Sequence, residues 1–171
     1  EKLQNFLCEN LVRKKIRKQF GGRLKAFVSG GGALDKEIGE FLNAIGLPTL
    51  QGDGLTEASP VVSCNPIHKI KIDTVGPPFK GNLIKISEDG EILVKGENIM
   101  LGYWGKIKET NDVIKNGWLY TGDIGEITKD DGYLKITDRK KDIIVTAGGD
   151  NISPAKIENI LSNNVEIDQC L

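Results

Sequence analysis

Thr56 and Glu57 stand side by side at the end of Gln51-Gly-Asp-Gly-Leu-Thr-Glu57. A threonine hydroxyl donates to a phosphate oxygen, and a carboxylate supplies the hard oxygen that Mg²⁺ prefers. Further on, Asp123 in Tyr120-Thr-Gly-Asp123 is of the type that accepts both hydroxyls of a ribose. Gly30, Gly31 and Gly32, and again Gly52 and Gly54, let backbone approach a flat or anionic ligand. What these residues share is phosphate and ribose chemistry. Each signal alone also has a plain structural explanation, since glycine-rich turns are mostly only turns and an Asp after Gly is mostly a surface residue.

Other chemistries fail on spacing. Gly52-x-Gly54 runs on to Glu57 instead of a third glycine, and no G-x-x-x-x-G-K-S/T occurs, so neither dinucleotide nor P-loop motif is present. Phe27 stands two residues before Ser29 where a hydrolase nucleophile elbow needs glycine. Cys8, Cys64 and Cys170 are odd in number, far apart and without C-x-x-C spacing, which supports neither a disulfide framework nor zinc. His68 is the only histidine and follows Asn65-Pro66 in a polar stretch, so histidine acid–base chemistry would rest on one loop residue.

The elements that must position these residues belong to an ordinary α/β composition. The 171 residues carry a net charge of -1, with 39% hydrophobic and 27% charged residues, which excludes a disordered or fibrous chain. No apolar run reaches the roughly 18 residues of a membrane span. The start shows neither a secretory nor a transit pattern, and a cytoplasmic setting is the expectation. The only methionine is Met100, so the expectation is a processed product or a piece of something longer.

Leu3, Leu7, Leu11, Val12, Ile16 and Phe20 recur at helical spacing and predict an amphipathic helix over 3–20, stopped by Gly21-Gly22. Its outer face is basic: eight Lys/Arg between residues 1 and 25 face two glutamates. Such a face admits a peripheral contact with an anionic membrane, but the near-neutral chain and the lack of interleaved aromatics favour a solvated helix face and no nucleic-acid partner. A strand over 25–29, the triple glycine, a helix over 35–45 and a strand over 47–50 form an α/β unit. Both strands run into glycine-rich turns, and open α/β sheets bind ligands at strand carboxyl ends. After Pro60 come short strands at 83–86, 91–95, 118–120, 124–128 and 133–137, with Glu88-Asp-Gly90 and Asp130-Asp-Gly132 as hairpin signals. This middle region predicts a small β-barrel or sandwich. A strand at 143–146, a Gly148-Gly149 turn, a helix from Pro154 with Ser153 as N-cap, and a strand beginning near Val165 follow.

In this order, Ser29-Gly-Gly-Gly-Ala-Leu34, Gln51 to Glu57, Tyr120-Thr-Gly-Asp123, Asp138-Arg-Lys-Lys-Asp-Ile-Ile144 and Gly148-Gly-x-Asn-Ile-Ser-Pro154-x-x-Ile-Glu158 resemble the adenylate-forming acyl-CoA synthetases. The resemblance is strongest to bacterial long-chain fatty acid–CoA ligases and runs from about residue 11 to 171. It implies α/β architecture: the end of a Rossmann-like subdomain over 1–60, a β-barrel over 61–138, and the hinge and start of an α+β C-terminal domain over 139–171.

The implied reaction joins a carboxylate, a fatty acid in the strongest match, to ATP. Acyl-AMP and pyrophosphate form, and coenzyme A then displaces AMP. The substrate carboxylate is itself the nucleophile, which suits a chain with one histidine, because the step needs positioning and charge neutralisation rather than an activated side chain. The resemblance places Gly31, Gly32 and Ala33 beside adenine. It sets Gln51, Gly52, Asp53, Gly54, Leu55 and Thr56 around adenine and the α-phosphate. Glu57 matches the Mg²⁺ ligand, and Asp123 with Arg139 matches the pair holding the ribose hydroxyls. Lys141 matches the interdomain hinge, and Gly148-Gly149 matches the lining of the coenzyme A tunnel. Thr56 and Glu57 are the implied catalytic pair.

The sequence departs from the family at Asp53, where an aromatic, commonly Tyr, stacks on adenine. A carboxylate there forgoes roughly 1–3 kcal/mol of stacking. Gly32-Ala33 replaces Ala-Pro, and Asp150 stands where Lys or Glu is expected. Neither the family's Ser/Thr/Gly-rich phosphate loop nor its C-terminal catalytic lysine is matched here, so the chain is expected to be inactive alone. The expectation is a ligase segment. Its alternatives are a non-catalytic nucleotide- or acyl-binding remnant, or a partner polypeptide that completes a split synthetase, the remainder lying on the same or a separate chain.

Overall fold

Lys2 to Gln19 is helical: α1 (Lys2–Cys8), a π-helical stretch (Glu9–Arg13) and α2 (Lys14–Gln19). This comes from a computed structural model that describes residues 2–32, 34–146, 148, 151–162 and 166–167. Helix α2 ends where Gly21 and Gly22 take φ of 76° and 71°, the left-handed region that glycine enters at no steric cost. Part of the basic face is used internally. Arg13 Nε donates to Ala44 O at 2.8 Å, and Arg17 pairs with Glu9 and reaches Gly46 O at 3.4 Å. These cations meet carbonyls at the end of the next helix, where the helix dipole is negative.

That helix, α3 (Lys36–Ala44), starts because the Asp35 carboxylate accepts from Ile38 N at 2.9 Å. It links β1 (Phe27–Ser29) to β2 (Thr49–Gly54) in a right-sized crossover, and the two strands pair parallel, with Ser29 opposite Gln51. The glycine-rich stretch expected as a turn after residue 50 is strand as far as Gly54. The reason is β3 (Val61–Cys64), which pairs antiparallel with it, Gly52 opposite Cys64 and Asp53 opposite Ser63. The turn comes one step later, as a 3₁₀ turn at Thr56–Ala58.

The second sheet contains β4 (Leu83–Ile86), β5 (Glu91–Lys95), β6 (Ile114–Lys115), β7 (Trp118–Ile127) and β8 (Leu134–Arg139). Its order is β4-β5-β7-β6, with β8 also on β7, and all pairs are antiparallel. The expected barrel is therefore an open sheet among the described residues. The strands expected at 118–120 and 124–128 are one strand, because Gly122 (φ 76°) and a register shift at Ile124/Gly125 absorb the irregularity as a bulge without breaking the strand. Helix α4 (Ile107–Val113) was not expected from the sequence. Both hairpin signals are observed as turns: Gly90 N donates to Ser87 O, and Gly132 N to Thr128 O, each at 3.0 Å.

Ala58, Val62, Val75, Ile92, Val94, Leu119 and Leu134 form one buried cluster that draws on both sheets. The strap 74–78 joins them through backbone: Val75 N to Leu134 O at 2.8 Å and Leu134 N to Gly76 O at 2.9 Å. On β7 the alternation of a strand with one buried face puts Leu119, Thr121, Asp123 and Gly125 inward. Asp123 thus occupies a core register, only 3% exposed. Beyond Arg139, β9 (Ile144–Val145) and β10 (Asn151–Ile152) pair antiparallel, and α5 (Pro154–Ser162) follows. The strand expected near Val165 begins outside the described residues, as do Ala33, Gly149 and Asp150.

Candidate functional site

Two clefts open beside the end of β2 and the first half of β7. The first, about 380 Å³, is lined by Gly31, Gly32, Gln51, Gly52, Asp53, Asp123 and Arg139. The second, about 610 Å³, is lined by Leu55, Thr56, Glu57, Tyr103, Lys115, Gly122 and Lys140. Gly54 and Arg139 line both and so stand at the division. Of the described residues implied for the nucleotide, Gly31, Gly32, Gln51, Gly52, Asp53 and Asp123 line the first cleft, and Leu55, Thr56 and Glu57 the second.

Gly31 has φ of 83°, and a Cβ added there or at Gly32 would meet nothing within 4 Å, so this edge of the first cleft is open backbone. Gly54 is the opposite case: its ideal Cβ would run into the Pro60 carbonyl, so close packing of β2 on β3 requires glycine. Gln51 is committed within the fold. Its side chain donates to Ile72 O and accepts from Leu34 N at 3.1 Å. Its carbonyl accepts from Asn65 N at 2.9 Å.

Asp123 and Arg139 are register partners across β7 and β8, and Arg139 Nε lies 2.8 Å from Asp123 Oδ1. Burial nevertheless dominates: it pushes the Asp123 carboxyl up to about 6, against the pull of Arg139, and the nearby Asp53 and Glu91 add to the rise. Asp53 is raised by burial too, with the Gly54 amide and Arg139 opposing, and among the described residues its buried Oδ2 has no hydrogen-bond partner. Arg139 thus faces two carboxyls whose charge the site disfavours.

In the second cleft, Thr56 is exposed and opens the 3₁₀ turn. Glu57 Oε1 accepts from Tyr103 Oη at 2.7 Å, and this bond to a carboxylate holds the Tyr103 phenol above its usual range. Sequence reasoning passed over Tyr103; its only signal was the Gly102-Tyr-Trp-Gly105 stretch. Lys140 was also missed inside its charged run. Its Nζ lies 2.7 Å from both Asp89 Oδ2 and Glu91 Oε2. Glu91 is buried at 4% exposure and its Oε1 accepts from Gly122 N at 2.9 Å. Lys140 is held above the usual lysine range by Asp89 first and Glu91 second.

Lys141 is exposed in the turn that follows, and Gly148 lies in an exposed turn further on, outside the linings of both clefts. Among the described residues no group of three His, Cys, Asp or Glu is disposed to hold a metal ion. No described helix is long and apolar enough to cross a membrane.

Residues 3–104 match the family described as AMP-binding enzyme. A long-chain-fatty-acid–CoA ligase of Mycobacterium bovis is 42% identical over 163 residues, covering 95% of this chain and 27% of the relative. One of Bacillus subtilis is 40% identical over 159 residues, covering 85% of this chain and 28% of the relative. Among solved structures, o-succinylbenzoate CoA synthetase from Bacillus subtilis, in complex with its acyl-adenylate intermediate, superposes with a TM-score of 0.79. It is 30% identical, covering 85% of this chain and 32% of that one. The chain spans under a third of the length of these relatives. With more than half of its residues matched and its glycine turns, Asp123 and Arg139 gathered on one cleft, the chain belongs to the AMP-binding enzyme family.

Proposed function

We propose that this chain is the nucleotide-holding segment of an ATP-dependent long-chain fatty acid–CoA ligase, which makes acyl-AMP from a carboxylate and ATP and passes the acyl group to coenzyme A. The observation that carries the proposal is the Asp123–Arg139 pair, with Asp123 in the first cleft and Arg139 at the division between the two. In this reading the open backbone at Gly31 and Gly32 and the β2 edge from Gln51 to Gly54 receive adenine, and Asp123 accepts from the ribose hydroxyls. Arg139 keeps Asp123 oriented and adds positive charge beside the phosphates. Thr56 donates to the α-phosphate from the second cleft, where Lys115 adds further positive charge.

Mg²⁺ fits this donor set through Glu57 alone, because Mg²⁺ is commonly held by one or two carboxylates together with substrate phosphates. When bound, it would neutralise phosphate charge. Tyr103 restrains the Glu57 carboxylate on one oxygen. Lys141 serves as hinge and Gly148-Gly149 as the coenzyme A lining. We assign 1–60 to the nucleotide subdomain, 61–138 to the open sheet and 139–171 to the hinge and the start of a mobile domain. The remainder of the ligase supplies the phosphate loop and the catalytic lysine, and the reaction is set in the cytoplasm.

Calorimetric titration of the folded chain with AMP tests the reading. Saturable binding that is lost in Asp123→Ala supports it, and no binding by folded wild type overturns it. Carboxylate-dependent ATP–pyrophosphate exchange by the chain alone would overturn the claim that the remainder is required.

A further inference from the structure

We propose that Lys140 is a positioning residue: clamped by Asp89 and Glu91, it fixes the Gly122 turn and thereby holds Arg139 against Asp123. This rests on the assignment of Asp123 and Arg139 to the ribose. Four contacts converge. Lys140 Nζ meets Asp89 Oδ2 and Glu91 Oε2, each at 2.7 Å. Glu91 Oε1 accepts from Gly122 N at 2.9 Å. Lys140 N donates to Gly122 O at 2.8 Å. Both backbone polar groups of Gly122 are therefore taken up by the Lys140–Glu91 pair.

Gly122 immediately precedes Asp123, and Lys140 immediately follows Arg139. The pair thus ties the two chain positions next to the two ribose residues, on adjacent strands, with one ionic bridge. Glu91 comes from the neighbouring strand β5, and Asp89 from the β4–β5 turn, where Ser87 Oγ donates to its Oδ1 at 2.6 Å. Clamped at its side chain and its amide, Lys140 also sets where motion can begin: rotation at the exposed Lys141 leaves Arg139 in place. A buried carboxylate bonded to both an amide and an ammonium is costly to half-dismantle, which makes the clamp rigid.

The test is amide hydrogen exchange on the 171-residue chain, followed by NMR, with AMP and adenine titrations beside it. Lys140→Met is expected to speed exchange at the Gly122 and Lys140 amides tenfold or more, with Val94 in β5 unchanged. Lys140→Arg is expected to restore protection. AMP binding should weaken about tenfold, and adenine binding, which lacks the ribose, should not change. Where unpaired Glu91 prevents Lys140→Met from folding, Glu91→Gln/Lys140→Met removes the buried charge and should show the same local loss. Unchanged exchange at Gly122, or an equal rise at Val94, overturns the proposal. If wild type binds no AMP yet the exchange pattern responds as expected, the clamp stands and the nucleotide assignment fails.

Discussion

Arg139 Nε sits 2.8 Å from Asp123 Oδ1, yet the Asp123 carboxyl titrates at about 6 rather than in the usual carboxylate range. An exposed guanidinium does not offset the burial of a carboxylate that is 3% exposed, lies on the inward face of β7 and has Asp53 and Glu91 nearby. The partner is half in water, and its field is screened; the acid is not.

The sign of the resulting pH dependence follows. A carboxyl raised in the folded state stabilises most when both states are protonated, and that contribution is lost as pH climbs through about 6. Denaturant unfolding of wild type should show a stability decrease from pH 4 to pH 7 of roughly 2 kcal/mol from this group. Asp123→Asn should make the curve shallower over that window, the raised Asp53 keeping part of the decrease. An unchanged slope in Asp123→Asn would assign the dependence elsewhere.

Adenosine binding should run the opposite way. Accepting from two ribose hydroxyls requires the ionised carboxylate, so affinity should fall roughly tenfold between pH 7 and pH 5. Adenosine is used because the phosphate of AMP titrates in the same range. A flat profile would remove Asp123 from the ribose.

Asp53 adds a second disfavoured carboxyl to the same cleft, with one buried oxygen that is unpaired among the described residues. Asp53→Asn keeps the size, removes the charge and offers a donor. We expect a gain of about 1 kcal/mol in stability at pH 7 and tighter AMP binding. Calorimetry and denaturant titration of the same variant check both, and weaker AMP binding would show the carboxylate to be useful to the ligand.

Tyr103 should be identifiable by spectrophotometric titration. Its hydroxyl donates to Glu57, so ionising it places two negative charges side by side, and its phenol should ionise above the usual range. Tyr103→Phe should delete a component of the tyrosinate signal that lies above the usual range. Survival of that component would show that Tyr103 and Glu57 are apart in solution.

Two glycines separate backbone need from ligand need. Gly54→Ala should cost about 3 kcal/mol or more, because its Cβ meets the fixed Pro60 carbonyl. Gly32→Ala, with open space around it, should change stability by less than about 0.5 kcal/mol. Thermal unfolding of the two variants checks the contrast, and equal losses would contradict the packing of β2 on β3.

The family was legible in the sequence because the residues that carry it are local: glycine turns, a Thr-Glu pair, an acidic residue after glycine and an Asp-Arg-Lys-Lys-Asp run, in order. So were the α/β unit at 27–54 and both hairpin turns, since periodicity and turn chemistry act over a few residues. The limits of local signals explain the differences. Residues 51–54 are strand because β3 lies alongside them, and Trp118–Ile127 is one strand because β5 and β8 hold it across its glycines. The Tyr103–Glu57 bond and the Lys140 clamp join residues 46 to 51 positions apart, a separation at which no spacing rule speaks. Residue types and order alone determined which chemistry this chain can serve. Which carboxyls are buried, which cation each one meets, and how these residues are shared between the two clefts were decided only when the sheets packed, because burial and electrostatic pairing are properties of neighbours in space.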